Sequence, residues 1–352
     1  MKLDLTILAT LFVSTMSSSD LPGDWLVESI EIPATVDDQS SSNLVVMANG
    51  LSTRSFVTSP NWATTEFSLE ASNAVGQGGY RSHVLRSYGP EGYITLDTNY
   101  TYAVGGVNIA NQNHRMYVNL TCVKDQGLVT WNNSFQYVSH TISKPTAPVP
   151  WTPGYRHSPK VPWPPLGVHL EVVFRPPESR PAIHKDISVS VHYELYQGIP
   201  LISKWMTVKN NNKNVNVTVS SVIVETLSVN REFAPLGNSY GGQNMGSTSP
   251  QGTLYVQPNI PHGVNVAWNL VRQSVSLSFS LSLTHPHPPT HPHPHTKKDS
   301  LNSQVNDAGA TEPQLNVSYA SGPGVHLHDD VTFESFRVMM MLMGVRSFPI
   351  AI

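Results

Sequence analysis

The chain has 352 residues, 39% of them hydrophobic and only 13% charged, with 28 Pro and 23 Gly. That length buries a sizeable core, and the Pro and Gly content excludes long helical arrays in favour of short strands joined by punctuated turns. A formal net charge of −3 gives no electrostatic reason to expect nucleic acid or an anionic membrane as partner.

The opening "MKLDLTILATLFVSTMSSSD" has a weak positive start at Lys2, an apolar run from Leu3 to Val13, and mostly small residues from Ser14 to Ser19. Residues 1–19 therefore read as a secretory signal, and the protein is expected to be extracellular. Asp4 interrupts the pattern, and a buried N-terminal strand is the alternative. The run is too short to anchor in a bilayer, and no later segment reaches ~18 apolar residues, so no membrane span is expected.

From Trp25 onward the chain is a succession of β-type runs. "WLVESIEI" (Trp25–Ile32), "NLVVMAN" (Asn43–Asn49), "TRSFVTS" (Thr53–Ser59) and "RMYVNLTCV" (Arg115–Val123) come first. "GVHLEVVFR" (Gly167–Arg175), "ISVSVHYELY" (Ile187–Tyr196) and "VNVTVSSVIVETLSV" (Val215–Val229) follow. Turn signals separate them at Asn49-Gly50, Pro90-Glu91-Gly92, Gly105-Gly106 and Asn210 to Asn212. With no βαβ pattern, residues 20–273 and 311–338 read as one all-β, large antiparallel β-sandwich.

Residues 274–310 break the pattern. Strict alternation at Ser274 gives way to a His-Pro repeat, and Pro at every second or third position removes the amide donors that a sheet or helix needs. The segment reads as a disordered, low-complexity insertion. Residues 339–352 end the chain on apolar residues, as a segment cut short would, and "FESFRVMMMLM" could open a helix at Phe333 or finish a strand.

Chemistry is sparse. His285, His287, His291, His293 and His295 could hold a divalent metal through imidazole nitrogens, but a floppy tract offers no second shell, so no metal site is expected. "HLHDD" (His326–Asp330) follows a turn-rich "SGPG" and reads as a solvated edge. Glu171, Glu194 and Glu225 lie in strand patterns and read as solvent-facing, with no signature placing two together across a scissile bond. No G-x-S-x-G, phosphate loop or H-E-x-x-H occurs, so no catalytic residue and no cofactor is assigned. In "YELYQGIPLISKWMTVKNNN", alternation puts Lys204 and Trp205 on opposite faces, and the pair reads as ordinary sheet surface and packing.

The lone Cys122 excludes an intramolecular disulfide and reads as a buried, inert thiol. Sequons at Asn99, Asn119, Asn132, Asn216 and Asn316 are candidate glycosylation sites and fit export. "WTPGYRHSPKVPWPPLG" gathers Trp151, Tyr155 and Trp163 with Arg156 and His157 in a Pro-stiffened loop. These five are the carbohydrate-binding candidates, because flat rings and nearby polar groups suit a sugar's two kinds of surface. Packing over the sandwich edge is an equal alternative.

Several blocks together resemble a known domain. "NGLSTRSFVTSPNWAT" (Asn49–Thr64) resembles the "NGL…R.F…PN.AT" opening of the N-terminal β-supersandwich in α-galactosidase-like proteins of glycoside hydrolase family 36. "YGPEGYITLDTNYTYAVGGV" (Tyr88–Val107) resembles that domain's next segment. "RHSPKVPWPPLGVHLEV" (Arg156–Val172), "VHYELYQGIPLISKWMTVKN" (Val191–Asn210) and "GPGVHLHDDVTFESFRV" (Gly322–Val338) resemble later ones, in the same order. The resemblance implies a galactose mutarotase-like supersandwich that precedes a (β/α)₈ barrel carrying the two catalytic Asp. This chain ends at Ile352, before a barrel of typically ~250 further residues could be built, so no position is expected to inherit a catalytic role.

The expectation is therefore a secreted, glycosylated, non-catalytic sandwich with carbohydrate as its partner class. Two rival readings stand beside it. One is a sugar mutarotase-like enzyme, which needs a His and a Glu converging in one cleft. The other is a secreted lectin-like or metal-binding protein.

Overall fold

The computed structural model describes residues 31–71, 80–87, 89–108, 128–147, 152, 154, 162–212, 214–229, 239–240, 253–260, 263–272, 311–328 and 331–343. The expected signal, the "RMYVNLTCV" run with Cys122, and the His-Pro tract lie outside these residues, as does most of "WLVESIEI".

The first five strands form a sheet of their own. β1 (Thr35–Gln39), β2 (Leu44–Ala48), β3 (Ser52–Val57), β4 (Ala63–Ala71) and β5 (Tyr80–His83) pair antiparallel in sequential order. The turn expected at Asn49-Gly50 joins β2 to β3, with Gly50 at φ 76°. Any Cβ there would be strained and would meet the Ile32 side chain at 2.7 Å. Asn49 fixes this turn by accepting from Leu51 N and Ser52 N, while its amide donates to Tyr196 O and Ile199 O at 2.7 Å each. The first sheet is thereby tied to a turn nearly 150 residues away.

Next come β6 (Leu85–Ser87), β7 (Gly92–Leu96), β8 (Tyr100–Val104), and a two-stranded ribbon of β9 (Val107–Asn108) and β10 (Leu128–Val129). They are followed by β11 (Ser134–Ser143), β12 (Gly167–Arg175), β13 (Ile187–Tyr196), β14 (Leu201–Asn210) and β15 (Val217–Val229). β16 (Ser239–Tyr240), β17 (Thr253–Pro258), β18 (Val264–Arg272), β19 (Thr311–Tyr319), β20 (Val325–Leu327), β21 (Thr332–Glu334) and β22 (Val338–Met343) complete the described strands. Apart from the ribbon they form one sheet, in the order β16-β18-β19-β15-β7-β8-β11-β12-β13-β14-β22-β17. β6 and β20 attach to β15, and β21 attaches to β14.

β11 divides that sheet into two halves. It starts parallel to β8 (Ser134↔Ala103, Phe135↔Val104), then from Gln136 runs antiparallel to β12, with a bulge between Tyr137 and Ser139. The expected all-β antiparallel sandwich is what forms, with this one short parallel pair among the described strands. Leu170, Val172, Phe174, Val189, Val191, Ile202 and Met206 from one half join Val222, Val224 and Leu227 of β15. Phe56 and Phe67 of the first sheet complete one continuous buried cluster with them.

The strand alternative holds at the methionine run. Val338–Met343 pairs with both β14 and β17, and Met340 is fully buried. Among the described residues there is no α-helix, only single 3-10 turns at Ser40–Ser42 and Ala182–His184.

Candidate functional site

Strand alternation places Ile202, Lys204 and Met206 on one face of β14, and this face is the core, where Lys204 has no exposed surface. A buried ammonium needs counter-charges within hydrogen-bond reach. Lys204 Nζ donates to Glu225 Oε1 at 2.7 Å, to Glu91 Oε2 at 3.1 Å and to the Glu91 backbone carbonyl at 2.6 Å. Arg54 of β3 closes the group from the other sheet. Its guanidinium donates to Glu225 Oε2 at 2.8 Å, to Glu91 Oε2 at 3.2 Å and to Thr64 Oγ1 at 2.9 Å. The Thr64 hydroxyl in turn donates a hydrogen bond to Glu91 Oε1 at 2.8 Å. Tyr193 OH makes a short hydrogen bond to Glu91 Oε2. Two cations and two carboxylates balance, and the Arg54 guanidinium also faces the Tyr193 ring at 5.0 Å.

The electrostatics follow from that closure. Burial alone would pull the Arg54 guanidinium down, but Glu225, Tyr193 and Glu91 hold it above the ordinary arginine range. Burial pushes the Glu91 carboxyl up, yet Lys204 and Arg54, with the Tyr193 and Thr64 hydrogen bonds, leave it below the usual glutamate value. Tyr193 is driven well above the ordinary phenol range by burial first and Glu91 second. Each charged side chain of the network is thus engaged by one of opposite sign. A cleft bordering it, lined by Arg54, Thr64, Leu85, Pro90, Glu91 and Thr226, has a cavity volume of only about 10 Å³. Small-molecule sites run to roughly 300–1,000 Å³.

Two expectations are corrected here. Lys204-Trp205 is not sheet surface: Lys204 is 0% and Trp205 3% exposed, because β14 is covered on both faces. Glu194 and Glu225 are not solvent-facing, since each is fully buried and ion-paired, while Glu171 is half-buried. In β15, register irregularities between Val219 and Ser221 and between Ile223 and Glu225 shift the inward phase. Val217 and Val219, then Val222 and Val224, then Glu225, Leu227 and Val229 are buried in turn. The separation of Lys204 from Trp205 onto opposite faces holds.

On the other face of β12, β13 and β14, three rings stack. His169, His192 and Trp205 have centroids 4.8–5.4 Å apart and planes within 17° of one another. The Arg337 guanidinium lies 3.6 Å above the Trp205 ring and donates to Glu194 Oε2 at 2.9 Å. Hydrogen bonds run from Ser143 Oγ through His169 and His192 to Thr207 Oγ1, with His169 Nε2 3.1 Å from His192 Nδ1. Burial, then the neighbouring His169 and Arg337, pull the His192 imidazole down to about 3. Burial also lowers His169, against the opposing pull of Glu194 and Glu171. Glu194 meanwhile accepts from Thr146 N, Thr146 Oγ1, Tyr196 OH and Arg337, so both its oxygens are occupied.

Of the sequence-derived carbohydrate candidates, Trp151, Tyr155, Arg156 and His157 lie outside the described residues, while Trp163 is described and half-buried. Asn99, Asn132 and Asn216 are exposed, Asn316 is half-buried in β19, and Asn119 lies outside the described residues. His326 sits exposed in β20, and its ring bonds Thr218 Oγ1 at 2.8 Å. No cluster of three or more metal-ligating side chains occurs among the described residues. In the sequence Arg54 and Tyr193 stand out only as members of the resembling blocks, and Glu91 also as part of the Pro90-Glu91-Gly92 turn.

No protein-family model and no curated protein matches the chain. Among solved structures it is similar to the GH36 α-galactosidase AgaB of Geobacillus stearothermophilus, at 10% identity and TM-score 0.37 over 88% of this chain and 41% of that one. It is also similar to the galactosidase domain of the α-galactosidase–sucrose kinase AgaSK, at 11% identity and TM-score 0.40 over 88% of this chain and 42% of that one. The α-galactosidase of Lactobacillus brevis gives 9% identity and TM-score 0.38 over 88% of this chain and 40% of that one. The chain thus spans about two fifths of the length of these structures.

Proposed function

We propose that this chain is a non-catalytic, carbohydrate-associated β-sandwich of an exported, α-galactosidase-like glycoside hydrolase, serving to brace a catalytic barrel. One observation carries the reading: the residues on which the family resemblance rests meet in space. Arg54 and Thr64 from the first block, Glu91 from the second, and Tyr193 and Lys204 from the fourth are all members of the buried network. Asn49 and Asn61 of the first block serve the same purpose at its margins, Asn49 holding the Tyr196–Ile199 turn and Asn61 bonding Phe135 O and Tyr137 N. Side chains spent on joining sheets are framework, and framework is what the resemblance assigns to this domain. In this proposal the Trp151–Gly167 loop, with Trp163 half-buried, lends its edge to the sugar pocket.

The mutarotase-like reading draws support from His169, His192 and Glu194 sharing one sheet face. Against it, Glu194 is fully buried with both oxygens engaged, and a general base must be free to reach the proton it abstracts. The test of the proposal is turnover of an aryl α-galactoside by the purified chain. None is expected. Hydrolysis that survives purification and disappears on substituting one Asp or Glu in a folded variant would overturn it.

A further inference from the structure

Ser134 opens β11, is 0% exposed, and its Oγ finds no hydrogen-bond partner among the described residues. A hydroxyl buried without a partner destabilises the fold, and alanine would occupy the same space without that penalty. Contacts among the described residues therefore give no account of this oxygen. The sequence does, because Ser134 is the third residue of Asn132-Asn133-Ser134, where a hydroxyl is required for glycan transfer to the asparagine. We propose that Asn132 is an N-glycan acceptor, and that the Ser134 hydroxyl is read on the extended chain before folding buries it.

The surroundings of Asn132 fit that order of events. It lies exposed in the turn that Ser134 N closes on Trp131 O at 3.0 Å, and no hydrogen bond among the described residues engages its side-chain amide. Its carbonyl oxygen is held by Ser179 Oγ, which leaves the side chain projecting from a fixed turn.

Asn99 and Asn216 lie at the same end of the sheet. Ser134 pairs in parallel with Ala103, so Asn132 falls level with the Tyr100–Thr101 start of β8, next to the Asp97–Asn99 turn. Asp97 N donates to Thr218 O at 2.9 Å and Thr218 N returns a bond to Asp97 Oδ1 at 2.8 Å, which brings Asn216 alongside. All three asparagines are exposed, so glycans there would clothe this end of the sheet.

In the transfer, Asn132 Nδ2 bonds to the anomeric carbon of an oligosaccharide carried on a polyprenyl pyrophosphate. The carbon–oxygen bond to the pyrophosphate breaks, the carrier leaves with the electron pair, and the amide proton passes to a base of the transferase.

The experiment expresses the full chain in secretory eukaryotic cells, once with its own N-terminus and once behind a heterologous leader, and maps glycopeptides by mass spectrometry. Wild type should carry a glycan on Asn132, and N132Q and S134A should each lose that glycan alone. In parallel, thermal unfolding of unglycosylated bacterial protein should show S134A at or above the wild-type midpoint. An unmodified Asn132 behind both leaders would overturn the proposal. A glycan seen only behind the heterologous leader would overturn it for the natural protein. A bacterial S134A midpoint more than about 2 °C below wild type, or failure of that variant to fold, would show that the hydroxyl is structural and overturn the argument from Ser134.

Discussion

Lys204 Nζ of β14 lies 2.7 Å from Glu225 Oε1 of β15, and neither side chain has any exposed surface. The contact joins the two halves of the large sheet, and Arg54, 2.8 Å from the other Glu225 oxygen, extends it to the five-stranded sheet. Removing one partner strands a charge in the core. Glu225→Gln is expected to destabilise the protein by roughly 3–5 kcal/mol, as breaking a buried ion pair does. Lys204→Met should lose a similar amount, and the double variant should lose clearly less than the sum. Urea unfolding curves give all three numbers, and simple additivity would show that the two charges do not depend on each other.

Acid should weaken the fold through the stacked imidazoles. His192 is held neutral down to about 3, against an ordinary value of 6.5, by burial and by His169 and Arg337 nearby. A depressed histidine is fully accommodated above its unfolded value, and stability is lost as pH falls because the unfolded chain takes up the proton first. The lowered Glu91 acts in the same direction below about its usual 4.5. Stability should therefore fall between pH 6.5 and about 3, with His192 contributing to the decline across that range. Chemical unfolding at stepped pH checks this, and His192→Gln should flatten the curve between pH 6 and 4.5.

Asn49 satisfies four backbone groups with one side chain, at 0% exposure. Asn49→Ala should lower stability by roughly 1–3 kcal/mol through orphaned amide and carbonyl groups. Asn49→Asp should be at least as damaging, because it turns a carboxylate oxygen toward the carbonyls of Tyr196 and Ile199. Thermal midpoints of the two variants decide it, and an Asp variant as stable as wild type would contradict the assigned amide orientation.

The strands on either side of the His-Pro tract pair directly, with Arg272 opposite Thr311. Their closure depends only weakly on the length of the connection. Deleting Thr284 to Thr296 should leave the melting temperature unchanged or raised, and a large fall would show that the tract packs against the sheets.

The strands were legible in the sequence because alternation and β-branched residues mark them: Gly167–Arg175 and Ile187–Tyr196 form with the bounds their composition suggests. The network was not. Lys204 and Glu225 looked like surface residues because charge in a strand usually faces water, and alternation distinguishes two faces without saying which is covered. Here both are, so the apolar–polar rhythm of β14 carries no inside–outside signal. The register shifts of β15 hid Glu225 further, since each inverts the phase that a reader would extrapolate. The one available clue was collective: Arg54, Glu91, Tyr193 and Lys204 recur in blocks that resemble one domain, and an Arg, a Lys and a Glu with no catalytic signature around them are candidates for a common structural purpose.

The most direct test of a framework role is made where His169, His192 and Glu194 share one sheet face. The measurement is the rate at which α-galactose relaxes to its anomeric equilibrium, followed by NMR in weak buffer with the purified chain present. The account predicts the rate of the buffer alone. Acceleration by the wild-type chain that is lost in a folded His192→Ala or Glu194→Gln variant would contradict it.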